Sequence, residues 1–186
     1  MVSIDVIDLS EYRGRFGLSK TLYAIESVDD PEIDIDRPGM IMHGSEGDHV
    51  AILKYGLAPH QADGNEIDNE WQVCMGLSCR DSSMTLSTNL SRKNAAVKYA
   101  GNFSDNGIVY VLSEDVKLLS GYREYWDAGE KARGYAWVTQ AIPDNLITAL
   151  ISKNLKLAAA ALVAADSDLC LYEPEGRCYQ IKELDA

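Results

Sequence analysis

The sequence is poor in cysteine and contains no long apolar segment. Its four cysteines, Cys74, Cys79, Cys170 and Cys178, are too sparse for a disulfide scaffold, and no Cys-x-x-Cys pair indicates zinc. We expect free thiols, as in intracellular proteins. No apolar run reaches the roughly 18 residues that a membrane span needs. The first residues alternate apolar with acidic positions, so no secretion signal is predicted either.

Basic residues are also scarce. The chain has 29 acidic and 17 basic residues, which gives a formal net charge of −12. This charge repels phosphate backbones and leaves no basic stripe for a nucleic acid to bind. Stable nucleic-acid binding is therefore disfavoured, although a nucleic acid could still be a transient substrate.

Several motifs of known chemistry are missing. The chain contains no Gly-x-Ser-x-Gly nucleophile elbow, no Gly-x-Gly-x-x-Gly loop and no phosphate-binding P-loop. The three histidines, His43, His49 and His60, lack the spacing of a metal site, and no His-Glu-x-x-His pattern is present. The residues therefore give no basis for a hydrolase, and we predict no metal site.

Size and composition favour one folded domain covering residues 1–186. The chain lies within the roughly 100–200 residues of a typical domain, and its contents of 46% apolar and 25% charged residues are ordinary for a globular protein. Local patterns predict an alternation of short strands and helices separated by two long loops, at 58–83 and 121–134. Strands are predicted at 21–27, 40–43, 84–88, 107–113 and 135–142, helices at 45–57, 89–101 and 153–166, a strand or helix at 144–151, and a hairpin over 168–183.

The segment 39–57, GMIMHGSEGDHVAILKYGL, places a histidine where a buried strand meets a helix. Ser45 is a candidate N-cap for that helix, and Gly56 is expected to end it. A single histidine at a strand end is commonly a structural residue. The Gly-Ser that follows His43, together with motifs further along the chain, favours a ligand site instead.

The order of these motifs resembles that of the NAD-dependent ADP-ribosyltransferases of the diphtheria-toxin and poly(ADP-ribose) polymerase type. The shared features are a strand with His-Gly-Ser, a helix that ends in Gly-Leu, a strand with Ser-Thr and a helix with Ala-Ala-x-x-Tyr. They cover about residues 39–151. The resemblance implies an α+β fold, in which two small mixed or antiparallel sheets surround an NAD cleft and helices flank them.

The resemblance also implies roles for individual residues. His43 would bind the adenosine ribose of NAD, and Gly44 would hold the nicotinamide carboxamide through its main chain, with Ser45 completing the motif. Ser87 and Thr88 would brace the site by hydrogen bonds, and Tyr99 would stack on the nicotinamide ring. These six residues are the predicted NAD-binding set.

Two positions depart from the family pattern. Leu86 stands where the family commonly has an aromatic residue before Ser-Thr, so one wall of the stacking site is missing. Tyr135 stands where the family has its catalytic glutamate, which stabilises the positive ribose as nicotinamide leaves. Tyr135 is therefore the first catalytic candidate, with Glu124 and Glu130 of the preceding loop as possible carboxylates or as ordinary solvated residues. Some mono-ADP-ribosylating members also lack this glutamate.

These observations predict a mono-ADP-ribosyltransferase that uses NAD as substrate, releases nicotinamide and modifies a macromolecule, with a protein favoured over a nucleic acid. One alternative is a catalytically degenerate member that binds NAD, ADP-ribose or a protein partner without turnover. Another is an RNA 2′-phosphotransferase, a branch whose site uses several arginines. The expected location is the cytoplasm, or a host cytosol if the protein is a delivered effector or toxin with a host or regulatory partner.

Overall fold

The structure is a computed structural model that describes residues 4–35, 37, 40–57, 84–87, 100, 103–126, 134–138 and 140–184. These residues form ten strands, three α-helices and three short 3₁₀ helices. The strands are β1 (Ile4–Asp8), β2 (Leu22–Val28), β3 (Ile41–Ser45), β4 (Met84–Ser87), β5 (Ile108–Leu112), β6 (Arg123–Trp126), β7 (Gly134–Val138), β8 (Ile147–Ile151), β9 (Cys170–Tyr172) and β10 (Cys178–Glu183). The helices are α1 (Arg13–Phe16), α2 (His49–Tyr55) and α3 (Leu155–Ala164), and the 3₁₀ helices are Ser10–Tyr12, Glu114–Leu118 and Asp144–Leu146.

The strands form one mixed sheet in the order β1-β2-β10-β9-β8-β5-β3-β4-β7-β6. Only β8 and β9 pair in parallel among the described strands, and α3 connects them. This mixed α and β architecture confirms the coarse prediction. The two separate small sheets that were predicted are not seen, because one register pair, Met42 with Ser87, joins a seven-strand part to β4, β7 and β6.

Apolar residues pack against both faces of the sheet. On one face, the four consecutive alanines 158–161 of α3 are fully buried in one cluster with residues of β5, β8 and β9. Alanine side chains are small, so the helix can approach the sheet closely without losing rotamer entropy. On the other face, a second cluster includes Ile35 and Met40 from the connection between β2 and β3. The sheet is therefore covered on both sides over its central strands.

The strand β5 is buried along its whole length, as its β-branched composition predicts. Ile108, Tyr110 and Leu112 pack in the α3-side cluster, whereas Val109 and Val111 pack in the opposite one. Its neighbours are β3 and β8, both antiparallel to it. This strand is the centre of the core.

The helix α2 begins later than predicted. Its N-cap is Asp48, which has a left-handed backbone with φ of 57° and makes no side-chain capping bond. The predicted cap, Ser45, is still part of β3, and its hydroxyl bonds the main chain of Gly47 instead. The prediction for the C-terminus is confirmed, because Gly56 ends the helix with φ of 85°, a conformation that favours glycine.

Predictions for the C-terminal third are confirmed in more detail. The alanine-rich segment forms α3, capped by the Asn154 side chain, which accepts a hydrogen bond from the Leu157 amide. Residues 147–151 form a strand, and β9 and β10 form the antiparallel hairpin. None of the helices in the described part combines the length and apolar character needed to cross a bilayer.

Two of the strands, β6 and β1, were not predicted from the sequence. Residues 123–126, assigned to an exposed loop, form β6 and pair with β7. Residues 4–8, whose alternation of apolar and acidic residues is a strand pattern, form β1 and pair with β2. The predicted loop at 58–83 and most of the predicted helix at 89–101 lie outside the described residues.

Replacing Gly56 with alanine should destabilise the protein strongly. A β-carbon at this position would lie 2.0 Å from the carbonyl oxygen of Ile142 and 2.8 Å from the amide nitrogen of Asp144, both main-chain atoms that cannot rotate away. We expect the free energy of unfolding, measured by urea denaturation, to fall by roughly 3 kcal/mol.

Gly47→Ala is the matched control, since no atom lies within 4 Å of a β-carbon at Gly47. Its free energy of unfolding should stay within about 0.5 kcal/mol of the parent. Equal losses in the two variants would contradict the assigned clash at Gly56.

Candidate functional site

His43 lies in the middle of β3, not at its end as predicted. The strand continues through Gly44 and Ser45, and His43 pairs with Tyr110 of β5. Residues opposite each other on neighbouring strands share a face of the sheet. His43 therefore lies on the same face as Tyr110, the α3 side, and only 2% of its surface is exposed.

A second buried histidine, His49, forms hydrogen bonds with Tyr110 and Asn106 on this face. The Nδ1 atom of His49, on α2, lies 2.5 Å from the Tyr110 hydroxyl, and its Nε2 atom lies 2.7 Å from the carbonyl oxygen of Asn106. A carbonyl can only accept, so Nε2 donates to Asn106 and Nδ1 accepts from the tyrosine hydroxyl. The geometry thus fixes the neutral tautomer of His49.

Burial controls the ionisation of both partners. It has the largest effect and lowers the pKa of His49 below the usual 6.5. The Asn106 hydrogen bond partly opposes this shift, Arg15 lowers the pKa further, and Asp48 has a smaller raising effect. Burial also raises the pKa of Tyr110 well above 10.0. The pair is therefore neutral near pH 7. No local pattern predicts this pair, because its members lie 61 residues apart.

The loop before β5 is held by side chains from three separate segments. Asn106 also accepts a hydrogen bond from Arg15 through its Oδ1 atom, and Asn154 donates to the carbonyl oxygen of Asp105. The hydroxyl of the fully buried Ser152 donates to the carbonyl oxygen of Gly107 at 2.9 Å. With the His49 bond, these contacts fix the start of β5 and so the position of Tyr110 beside His43.

Three of the predicted site residues lie on adjacent strands of the sheet, namely His43, Ser87 and Tyr135. Ser87 is opposite Met42, the residue before His43, and on its other side it is opposite Tyr135 of β7. The chain separation between His43 and Tyr135 is more than ninety residues. The strand order therefore brings the predicted binding strand and the predicted catalytic strand within two strand spacings of each other.

The ladder between β3 and β4 stops where the His-Gly-Ser sequence begins. Among the described residues it consists of the single pair Met42 with Ser87, although β3 continues to Ser45 and β4 extends back to Met84. An ideal continuation of this register would place Thr85 opposite Gly44, and no such pair forms. Among the described residues, the pairing of the two strands therefore ends before Gly44.

Glu124 lies in β6 opposite Ala136, the residue after Tyr135. The prediction that Glu124 lies in a loop was therefore wrong, and its proposed role as a carboxylate stays a prediction. The other three predicted residues, Thr88, Tyr99 and Glu130, lie outside the described residues.

A cavity of about 600 Å³ lies apart from His43, between the β2–β3 connection and the β9–β10 turn. Its walls include Ile33 and Ile35 and the charged residues Asp34, Glu175 and Arg177. Ile35 and Cys178, which also lines it, belong to the core cluster on the face opposite His43. This cavity was not foreseen from the sequence, and it contains none of the predicted NAD-binding residues.

In the described part of the chain, no group of three or more His, Cys, Asp or Glu side chains is arranged to hold a metal ion. Comparison of the chain with protein-family models, with curated proteins and with solved structures gave no match.

The neutral His49 makes the stability of the protein depend on pH. The unfolded chain takes up a proton near pH 6.5, whereas burial lowers the pKa in the folded state. The stabilisation from neutral His49 is thus complete above pH 6.5 and is lost as the pH falls through the lowered pKa.

We expect the difference in free energy of unfolding between the parent and His49→Gln to shrink at acid pH. Urea denaturation about one pH unit above and below the usual histidine pKa measures this difference, and carboxylate effects common to both proteins cancel. A difference that is equal at both pH values, or larger at the lower one, would contradict the buried neutral histidine.

Proposed function

We propose that the protein is a mono-ADP-ribosyltransferase, which transfers ADP-ribose from NAD to a macromolecular acceptor and releases nicotinamide. One observation carries the proposal: the register pairs between β3 and β4 end before Gly44, within the motif that resembles the NAD-binding corner of that family. We propose that this break in the ladder is an opening that gives a ligand access to a strand edge. We also propose that it divides the sheet into the two parts that surround an NAD cleft in the family fold.

The chemistry of NAD suits a glycine at this opening. A carboxamide has one carbonyl acceptor and two N–H donors, so it can pair with the main chain as a neighbouring strand does. Glycine lacks a β-carbon, so its backbone allows the closest approach of a ligand. In the proposed mode Gly44 binds the nicotinamide carboxamide, and His43 hydrogen-bonds the adenosine ribose. Because His43 is 2% exposed, this mode requires local opening around it.

Catalysis requires a group that stabilises the positive charge that develops on the ribose. The bond between ribose and nicotinamide breaks, its electron pair leaves with the nicotinamide nitrogen, and a positive charge develops on the ribose. A carboxylate near this carbon stabilises the transition state more than the ground state. Glu124 is the first candidate for this role, because it is opposite Ala136 in the pairing of β6 with β7, one residue from the position of Tyr135. Tyr135, at the position of the family's glutamate, is the other candidate.

The charge of the chain bears on the acceptor. With a net charge of −12, long-range electrostatics oppose the approach of a nucleic acid and favour the approach of an acceptor with a basic surface. The proposed acceptor is therefore a protein. The proposed location, a cytoplasm or a host cytosol, supplies both NAD and such acceptors.

The second candidate function is NAD or ADP-ribose binding without turnover. The observation that favours it is Tyr135 itself, at the position where the family has its glutamate. A tyrosine hydroxyl is neutral near pH 7 and stabilises a cationic ribose less than a carboxylate does. The two functions share the NAD site and differ only in nicotinamide release.

His43→Gln should weaken NAD binding about tenfold or more, the usual cost of one hydrogen bond to a ligand. Isothermal titration with NAD measures affinity, and incubation of radiolabelled NAD with a cell extract measures nicotinamide release and label transfer. His49→Gln is the comparison variant, because both histidines are 2% exposed and only His43 is assigned to NAD. Any loss of affinity in His49→Gln measures the indirect effect of replacing a buried histidine, and His43→Gln should exceed it.

Thermal unfolding without NAD shows whether each of these variants folds. A folded His43→Gln protein with parental affinity for NAD and parental label transfer would refute the assigned role of His43. If the parent protein itself neither binds NAD nor releases nicotinamide, the proposed function is wrong. Release of a 2′-phosphate from RNA by the parent would indicate the phosphotransferase alternative.

Glu124→Gln should slow nicotinamide release about 100-fold while leaving NAD affinity close to that of the parent, since the carboxylate acts on a charge that exists only in the transition state. Tyr135→Phe keeps the ring and tests the hydroxyl separately. If both variants release nicotinamide at the parental rate, neither Glu124 nor the Tyr135 hydroxyl acts in catalysis. NAD-induced thermal stabilisation of the parent without nicotinamide release would establish the second candidate function.

A further inference from the structure

Two cysteines lie close together on neighbouring strands, far from the proposed NAD site. Cys178 begins β10 and is opposite Tyr172 of β9, and Cys170 lies two residues before that tyrosine. Since side chains two residues apart on a strand share a face, the two cysteines are diagonal neighbours on one face of the hairpin. Both thiols are free.

Both cysteines pack on the same apolar cluster. Cys178 is a member of the cluster on the face opposite α3, and Cys170 packs against it. Diagonal neighbours on antiparallel strands lie roughly 7–8 Å apart, with the β-carbons somewhat closer, and disulfides span Cα separations up to about 6.8 Å. A bond between the two sulfurs therefore requires a small local shift of the hairpin.

The two cysteines differ in access to solvent. Cys178 is 3% exposed, whereas Cys170 is half-buried. A dissolved oxidant therefore reaches Cys170 more readily, and the more buried Cys178 is the second thiol to react. An accessible cysteine next to a buried resolving cysteine is the arrangement that favours a disulfide over irreversible oxidation.

We propose that Cys170 and Cys178 are a thiol modification site, at which hydrogen peroxide converts the pair to an intramolecular disulfide. The Cys170 thiol loses its proton to water, and its sulfur attacks one peroxide oxygen. The O–O bond breaks, and the departing oxygen takes up a proton and leaves as water. The product is a sulfenic acid on Cys170.

In the second step Cys178 attacks the Cys170 sulfur. The S–O bond of the sulfenic acid breaks, the hydroxide takes the proton of the Cys178 thiol, and a second water leaves. Overall, two thiols are oxidised, one peroxide is reduced and two waters form. Burial raises the pKa of Cys178 to about 11, so this thiol is protonated near pH 7 and is a poor first target for an oxidant.

The disulfide would close the hairpin at the wall of the 600 Å³ cavity, which Cys178 lines together with Arg177 and Tyr179. A covalent bond at this position restricts how far β9 and β10 can separate. The modification therefore acts on the cavity side of the sheet, and its occurrence does not depend on the proposed function.

The sequence makes the product easy to detect. Trypsin cleaves after Lys156, Arg177 and Lys182, so Cys170 and Cys178 fall in different peptides, 157–177 and 178–182. The folded full-length protein is treated with hydrogen peroxide, blocked with iodoacetamide, digested without reductant and analysed by mass spectrometry. We expect the two peptides linked, with the loss of two hydrogen atoms, and separated again by dithiothreitol.

The matched variants are Cys170→Ser and Cys178→Ser. Each should lose the linked peptides, and Cys178→Ser should accumulate sulfenic acid at Cys170, which dimedone labels. A Cys74→Ser, Cys79→Ser background excludes exchange with the other two cysteines. Both cysteines recovered as separate thiols, Cys170 recovered mainly as sulfinic acid, or links mainly to Cys74 or Cys79 would each overturn the proposal.

Discussion

The burial of β5 is the constraint on which the rest of the structure depends. All five residues from Ile108 to Leu112 are buried, so both sheet faces must be covered and both strand edges paired. Four of these residues are apolar, but Tyr110 carries a hydroxyl into the core. A buried hydroxyl without a partner costs roughly 1–3 kcal/mol. His49 supplies the partner, and this fixes the position of α2 over the sheet and the left-handed turn at Asp48 that leads into it.

The same constraint explains the character of the proposed site. His43 is fixed by its pairing with Tyr110 on one side of β3, whereas the ladder with β4 on the other side ends at Met42. A strand that is firmly held along one edge and open along the other can bind a ligand without loss of the core. Rigid support of this kind is what a binding site needs for its geometry. The cavity on the opposite face is a separate feature, built from the acidic β2–β3 connection and the β9–β10 turn.

Local sequence signals predicted the elements whose cause is local. The β-branched run of β5, the alanine-rich α3 with its Asn154 cap and the Gly56 helix end each follow from side-chain or backbone preferences within a few residues. The mixed α and β class followed from their alternation. In contrast, β6 is a strand because β7 pairs with it, and no pattern within 123–126 specifies that partner. The prediction of Ser45 as a cap failed because β3 extends two residues further, paired with Val109 and Ile108.

Only part of the site was predicted, because the rest depends on contacts between distant segments of the chain. A motif order indicated His43, Gly44, Ser87 and Tyr135, whose strands are neighbours in the sheet, but the His49–Tyr110 pair depends on contacts across 61 residues and left no local signal. The loop before β5 extends this dependence, since Arg15, His49 and Asn154 all bond it from distant parts of the chain. Segments tied to one loop in this way gain protection from hydrogen exchange together. We therefore expect α1, α2 and the start of α3 to open together, although more than a hundred residues separate α1 from α3.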